Sequence, residues 1–159
     1  MNIRKLVMGP LETNCYVITD EKTSRSIVID PADENKDLKQ LVEDSNTTVD
    51  KILLTHGHFD HIGGVNVIQR LTGAELWIHS LDEEMLRDPS KNISSFFENR
   101  IVCSEPSYHF KDDTLLECGS LQIKVIHTPG HTLGSSCFLI DGALFSGDTL
   151  FQMGIGRTD

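Results

Sequence analysis

The segment from residue 55 to residue 61 places four potential metal ligands within six positions, directly after the apolar run at 51–54. That run predicts a short strand whose end would hold His56 rigidly, while Gly57 relieves crowding and lets His58 turn back towards the same ion. Imidazole nitrogens suit zinc, copper, iron and nickel, and a carboxylate adds a hard oxygen donor. A polar loop with solvated histidines is the alternative, but donors at this density favour a metal site. The four candidate ligands are His56, His58, Asp60 and His61.

Short apolar stretches near both ends of the chain predict strands, and turn-forming residues separate them. The polar segment at 20–25 predicts a hairpin connection, as do the turn at 118–120 and the pair Asp141-Gly142. The predicted strands cover residues 3–8, 14–18, 26–30, 49–55, 74–79, 114–117, 121–127, 137–140 and 143–145.

The middle of the chain carries helical patterns. We expect a surface helix over 35–44, one continuous helix after the ligand segment and a further helix within 90–100. Asp60 stands where a helix N-cap would be, so it could cap the helix, ligate a metal, or do both. The stretch 80–83 has the form of a capping box and predicts a short helix that ends before Pro89. The apolar stripe of the continuous helix consists of Ile62, Val65, Ile68 and Leu71.

Length, net charge, apolar runs and cysteine content limit the kinds of partner and location that we expect. A chain of 159 residues predicts a single domain over 1–159. The net charge of −10, from 24 acidic and 14 basic residues, would repel phosphate backbones, so no nucleic-acid partner is expected. No apolar run reaches the length of a signal peptide or a membrane span, so we expect no membrane partner and a cytoplasmic location. The four cysteines form no C-x-x-C pair and are expected to be reduced and mostly buried: Cys15, Cys103, Cys118 and Cys137.

Two later segments complete a set of candidate ligands. Thr128-Pro129-Gly130-His131-Thr132 follows a predicted strand, and its tight turn presents His131. Gly147-Asp148-Thr149-Leu150-Phe151 follows the Asp-Gly hairpin and presents Asp148. Together with His-x-His-x-Asp-His, these segments resemble the motifs of the metallo-β-lactamase superfamily, and most closely its glyoxalase II-like (hydroxyacylglutathione hydrolase-like) branch.

The resemblance implies a fold, a metal site and a reaction. The implied fold is an αβ/βα sandwich, of class α/β (α+β), with the metal site at one edge between two sheets. The implied cofactor is one or two zinc ions, with iron or manganese possible, and the implied substrate is a small-molecule thioester such as S-lactoylglutathione, attacked by metal-bound hydroxide. Asp60 would also help to orient this nucleophile. By position in the motifs, His56, His58 and His131 would hold the first ion, Asp60 and His61 the second, and Asp148 would bridge both.

The sequence also departs from that family pattern. The second site normally takes one more histidine, from a Gly-His-Gly-like turn a few dozen residues past the Gly-Asp motif, whereas this chain stops at Asp159. Either the sequence is a truncated form of a longer protein or it is naturally short. We expect truncation, with the last strand and helices of the second half missing, a tight first site and a second site that is weak, water-filled or empty. The region that grips glutathione in glyoxalase II has no counterpart. Alternatives are a catalytically weak or inactive metal-binding fragment, or another superfamily activity, namely lactonase, β-lactamase or an iron-dependent persulfide dioxygenase.

The remaining histidines have plainer interpretations. His79 is expected to be structural or merely exposed, with substrate contact as the alternative. His127, at a predicted strand end, is expected to be structural or to support the ligands, and His109 is expected at the surface. Thr132 and Ser135 could either orient ligands through hydrogen bonds or cap the turn.

Overall fold

Two β-sheets face each other in the computed structural model, which describes residues 1–44 and 46–158. Ser45 and Asp159 lie outside the described residues, and Asp159 is the last position of the predicted domain. The first sheet has six strands in the order β1-β2-β3-β4-β5-β6; β1 to β3 form an antiparallel meander, and β4 to β6 join it in parallel. Its strands are β1 (Asn2–Met8), β2 (Thr13–Asp20), β3 (Arg25–Ile29), β4 (Thr48–Leu53), β5 (Glu75–His79) and β6 (Tyr108–Phe110).

The second sheet is antiparallel throughout and has the strand order β10-β9-β8-β7. Both predicted hairpins in it are confirmed, and glycines with positive φ (Gly119 at 59°, Gly142 at 85°) make the turns. A separate two-stranded ribbon follows the sheet. The strands are β7 (Leu115–Cys118), β8 (Leu121–His127), β9 (Ser136–Ile140), β10 (Ala143–Phe145) and, in the ribbon, β11 (Leu150–Phe151) and β12 (Gly154–Ile155).

Two apolar cores hold these layers together. The first lies between the first sheet and three helices, α1 (Lys36–Asp44), α2 (Phe59–Ile62) and α3 (Val65–Thr72). The second lies between the sheets, where Ile27 and Ile29 of β3 belong to the same cluster as Phe138 of β9. Because β3 is covered on both faces, it reads as a continuous apolar run rather than an alternating one. The layered α/β sandwich expected from the sequence is confirmed, and the described residues from 121 onwards contain no α-helix.

The cysteines are buried and unpaired, as the sequence predicts. Burial raises the pKa of the Cys15 thiol far above its usual value and raises that of Cys103 and Cys118 to about 12. Within 1–44 and 46–158, no helix has the length and apolar character needed to cross a bilayer.

The helix predicted after the ligand segment forms, and Val65 and Ile68 of its apolar stripe are buried, but it differs from the prediction in two respects. It is split into α2 and α3 at Gly63 and Gly64. These glycines pack against the backbone that follows β3: a Cβ on Gly63 would lie 2.5 Å from the carbonyl oxygen of Ala32. Leu71, assigned to the apolar stripe, is 43% exposed instead of packing on the sheet.

Three local predictions also need correction. Asp60 does not occupy the N-cap, because α2 begins at Phe59 and places Asp60 in its first turn. The capping box at 80–83 does not form; the segment is a 3-10 helix (Ser80–Leu86) capped by His79, whose Nδ1 accepts a hydrogen bond from the Leu81 amide at 3.3 Å. Residues 90–100 hold only a 3-10 turn at Ser94–Phe96, since Asn92 ties the segment to backbone carbonyls on both sides.

Candidate metal centre

The six candidate ligands converge at one edge of the sandwich, where strands of both sheets end. β4 of the first sheet leads into the segment that carries His56, His58, Asp60 and His61. From the second sheet, β8 leads into the turn of His131, and β10 leads into the 3-10 turn of Asp148 (Gly147–Thr149). Since both sheets stop at the same edge, residues up to 92 positions apart in the chain become neighbours.

A first group consists of three histidines whose ring nitrogens lie close enough to share an ion: His56, His58 and His131. The Nδ1 atom of His58 lies 3.0 Å from Nε2 of His131, and the three ring centroids are 4.7–4.8 Å apart. Zinc–nitrogen bonds in a tetrahedral site place two ligand nitrogens about 3.3 Å apart. The spacing of the rings therefore suits a common ion.

A second group consists of His56, His61 and Asp148 and shares its first member with the other group. Asp148 lies between the groups, with Oδ1 3.2 Å from His61 Nε2 and Oδ2 3.4 Å from His131 Nε2. Asp60 lies beside this second group: its Oδ2 is 3.5 Å from His61 Nε2 and accepts a hydrogen bond of 2.9 Å from the Thr13 hydroxyl.

Two ring nitrogens in the centre have no hydrogen-bond partner among the described residues. They are Nε2 of His56 and Nε2 of His61, both inaccessible to solvent. The Nε2 atom of His61 is close to Asp148 but not in hydrogen-bond geometry with it. A buried polar atom without a partner is costly, and a cation between the rings would supply one to each. The residues present therefore fit a metal ion.

Hydrogen bonds on the far side of the rings fix which nitrogen faces the centre. Thr55 donates its hydroxyl to Asp30 at 2.7 Å, so that hydroxyl accepts the proton of His56 Nδ1 at 3.1 Å. His61 donates its Nδ1 proton directly to Asp30 at 2.9 Å, and His131 donates its Nδ1 proton to the carbonyl of Arg157 at 3.0 Å. For His56 and His131 this leaves Nε2 unprotonated, the form that binds metals, and for His61 it leaves Nε2 facing the centre.

The electrostatics differ between the two groups in the metal-free protein. Burial, followed by the charges of His61, His58 and His131, holds the pKa of His56 well below its usual value, so this ring is neutral and ready to ligate. Burial also favours the neutral form of His61, but Asp30 and Asp148 outweigh it and raise its pKa to about 10. A proton must therefore leave His61 when an ion binds.

Asp148 stays ionised in this setting. Its burial favours the neutral acid, yet the neighbouring imidazoles of His61, His131 and His58 outweigh burial and lower the pKa of the carboxyl group. An ionised carboxylate between two groups of imidazoles adds negative charge where a divalent ion would need it.

Three residues around the centre were not singled out from the sequence. Asp30 is buried directly after β3 and accepts hydrogen bonds from Thr55 and His61. The feature that could have pointed to it is the parallel pairing of β3 with β4, because the carboxyl ends of parallel neighbours lie at the same edge of a sheet. Thr13 contacts a partner 47 positions away, and the partners of Asp82 are at least 25 positions away, so no local sequence pattern predicts either contact.

The plainer interpretations of the other histidines agree with their contacts. His79 stacks on His127 with ring centroids 4.2 Å apart and planes at 9°, and Nε2 of His127 donates to the Leu133 carbonyl at 2.9 Å. His109 is exposed and pairs with Glu83 at 3.0 Å.

Two open clefts meet at the first group of histidines, since both are lined by His58 and His131. One, of about 430 Å³, has an apolar wall that includes Phe59 and Phe97, whose ring centroids lie 4.5 Å apart. The other, of about 380 Å³, is lined by Met85, Leu133 and the residues around them. A third cleft of about 520 Å³ opens beside the second group. Each volume is that of a small-molecule site.

Comparison with known proteins gives concordant matches. A family model described as the Metallo-beta-lactamase superfamily matches residues 8–159. The hydroxyacylglutathione hydrolase GloC of Haemophilus influenzae is 32% identical over 170 residues, an alignment that covers 100% of this chain and 76% of that protein. The crystal structure of BLEG-1 B3 metallo-beta-lactamase superposes with a TM-score of 0.91 at 34% identity, over 99% of this chain and 77% of that one. TTHA1623, solved in a di-iron-bound form, gives a TM-score of 0.83 at 28% identity, over 98% and 77% of the two chains.

Proposed function

Because the chain belongs to the metallo-beta-lactamase superfamily, whose members are mostly metal-dependent hydrolases, we propose that it hydrolyses a thioester of the hydroxyacylglutathione type. The observation that carries the proposal is the set of imidazole nitrogens and carboxylates that converge around two buried Nε2 atoms, which have no hydrogen-bond partner in the described part of the chain. The relative in Haemophilus influenzae, which is named a hydroxyacylglutathione hydrolase, supports the choice of a thioester over other acyl compounds.

We assign the ligands as the motifs imply. His56, His58 and His131 hold the first ion, His61 and Asp60 hold the second, and Asp148 bridges the two. The 3.0 Å approach of His58 to His131 supports the first assignment, and the position of Asp148 between both groups of histidines supports the bridging role. The first ion has three nitrogen ligands, whereas the second has a single nitrogen ligand, His61, which must lose a proton before it can bind. We therefore infer a tight first site and a weak second one.

Zinc is the proposed metal, with iron as the main competitor because the similar protein TTHA1623 was solved with two irons. Imidazole and carboxylate ligands suit both metals. A bound zinc ion would lower the pKa of a water molecule towards neutrality and polarise the acyl carbonyl.

The residues of the chain have separate tasks in this hydrolysis. The Thr13 hydroxyl fixes Oδ2 of Asp60, so the carboxylate can orient the attacking water by accepting a hydrogen bond from it. The clefts that meet at His58 and His131 receive the acyl arm and the thiol arm of the substrate on either side of the reacting carbonyl. Holding both arms would keep the carbonyl in place for attack, so residues of the apolar wall such as Phe97 contribute to positioning.

The net charge of the chain and its cysteine thiols support the proposed kind of substrate and the proposed location. The net charge of −10 supports a small-molecule substrate and not a nucleic acid. The four buried, unpaired cysteines support a reducing, cytoplasmic location.

Metal analysis combined with hydrolysis assays tests the proposal. Unsupplemented protein should hold one tightly bound ion per chain, and the zinc-loaded protein should hydrolyse S-lactoylglutathione faster than a lactone or a β-lactam. Removal of the metal by a chelator should abolish the reaction, and zinc should restore it.

Each other outcome has a definite meaning. Two tightly held ions per chain would contradict the weak second site. Faster turnover of the lactone or the β-lactam would reject the thioester, and oxygen consumption by a protein with one iron would identify a dioxygenase. Full metal loading with no turnover of any compound would show a metal-binding protein without hydrolase activity.

A further inference from the structure

A buried carboxylate outside the candidate ligand set connects the two loops that carry the first group of histidines. Asp82 lies in the 3-10 helix Ser80–Leu86 and is 1% exposed. Its Oδ2 accepts hydrogen bonds from the Gly57 amide at 3.2 Å and from the Thr132 hydroxyl at 2.7 Å, and its Oδ1 accepts one from the Gly134 amide at 2.7 Å. One side chain therefore contacts both ligand loops.

The glycines on either side are required by the close approach. A Cβ on Gly134 would lie 2.6 Å from Cγ of Asp82, and a Cβ on Gly57 would lie 2.6 Å from Cβ of Met85, three residues further along the same helix. Real Cβ atoms do not approach so closely, so the backbone of each loop reaches the helix only because a side chain is missing there.

The helix that carries Asp82 is itself held in place. His79 caps its first turn and stacks on His127, and His127 in turn contacts the backbone of the loop that carries His131. Ser135 adds to the order of that loop by accepting a hydrogen bond from the Thr132 amide at 2.9 Å. Asp82 is thus a fixed point between two loops and not a side chain that follows their movement.

We propose that Asp82 is a positioning residue that sets the distance between His58 and His131 and thereby the affinity for the first ion. Gly57 separates His56 from His58 in the chain, and Thr132 directly follows His131. The hydrogen bonds that Asp82 accepts from the Gly57 amide and the Thr132 hydroxyl therefore act next to three proposed ligands. The inference rests on the proposed ligand roles of these histidines. An ionised carboxylate is the group that can satisfy three donors with two oxygens.

Asparagine cannot replace it, although its shape is the same. In either orientation its NH2 group would face the amide of Gly57 or the amide of Gly134, and two donors repel. One loop would lose its contact, and the two histidines would no longer be held at the distance that suits one ion. Hydrogen-bonding partners that orient metal ligands are typically worth about 10–100-fold in metal affinity.

The test compares Asp82→Asn with Glu84→Gln, which removes an exposed carboxylate from the same helix. Zinc affinity is measured by competition with a chromophoric chelator, the ligand geometry by the visible spectrum of the cobalt-loaded protein, and stability by the Tm of the metal-free form. We expect Asp82→Asn to weaken zinc binding by about 10–100-fold and to alter the cobalt spectrum, while Glu84→Gln changes neither.

A second pair of variants covers the case in which Asp82→Asn does not fold. Thr132→Val removes one of the three hydrogen bonds and keeps the shape of the side chain, whereas Thr132→Ser keeps the hydroxyl. Weaker zinc binding by the valine variant and its rescue in the serine variant would support the proposal.

Two results would overturn it, and they are distinguishable. Wild-type zinc affinity in Asp82→Asn and Thr132→Val, with only a lower Tm, would show a merely structural role. Wild-type zinc affinity in His58→Ala would show that the ligand assignment itself is wrong, and the positioning role would fail with it.

Discussion

The hydroxyl of Thr55 decides which nitrogen of His56 faces the metal centre, which makes Thr55→Val a sensitive perturbation. The hydroxyl donates to Asp30 at 2.7 Å and accepts from His56 Nδ1 at 3.1 Å. Valine has nearly the same shape as threonine but offers no acceptor, so the Nδ1 proton of a fully buried ring loses its partner. The proton can then move to Nε2, the atom that would ligate the ion.

The magnitude follows from the place of His56 in the centre. Loss of a hydrogen-bonding partner behind one metal-bound histidine typically costs 10–100-fold in affinity, or about 1.4–2.8 kcal/mol. Because His56 is a proposed ligand of the first ion, we expect that ion to bind more weakly. Burial keeps the pKa of His56 low, so the ring is already neutral at neutral pH and protons do not compete with the metal for it. The substitution therefore cannot regain affinity by reducing such competition.

Zinc affinity by chelator competition, with Thr55→Ser as the matched control, checks this reasoning. Serine retains the hydroxyl and should stay within a few-fold of wild type. A valine variant that binds zinc as tightly as wild type, with an unchanged cobalt spectrum, would refute the claim that the hydroxyl sets the tautomer of His56.

Two further predictions concern a ligand and a proton. His58→Ala removes a proposed direct ligand, so turnover should fall to about 1% of wild type or less, a loss at least as large as that expected from a missing hydrogen-bonding partner. As the control, His109→Ala replaces an exposed histidine and should leave turnover unchanged. Near-wild-type turnover of His58→Ala with full metal loading would reject the role of His58. In the metal-free protein the pKa of His61 is raised to about 10 from an ordinary value of about 6.5, so the stability it adds is fully present below pH 6.5 and is lost as the pH rises through 10. The Tm of metal-free wild type should therefore fall over this range more than that of Asp30→Asn, and parallel curves would contradict the assignment.

The elements that local chemistry specifies were predictable from the sequence. Strands with apolar runs lie within a residue or two of their expected bounds, and the hairpins at Gly119 and Gly142 form where turn residues require them. The failures arise from distant contacts. The helix after His61 breaks because Gly63 and Gly64 meet the backbone after β3, some thirty positions earlier in the chain. No window of sequence contains both partners.

The metal centre divides in the same way. Donors such as His58 and His131 are visible because their types and spacing are unusual, and the structure brings them together. The groups that orient them are common residues in ordinary sequence contexts. Asp30 looks like the end of a strand and Asp82 like part of a capping box, and only the folded chain shows that each accepts three hydrogen bonds from the loops of the centre.

The convergence of both sheets on one edge would make a bound ion a link between them. His58 follows a strand of the first sheet and His131 a strand of the second, 73 positions later. Because the first site takes ligands from both loops, docking of the two sheets would favour metal binding, and metal binding would in turn favour docking. Occupation of the first site would therefore stabilise the contact between the two sheets as well as supply the metal for the reaction.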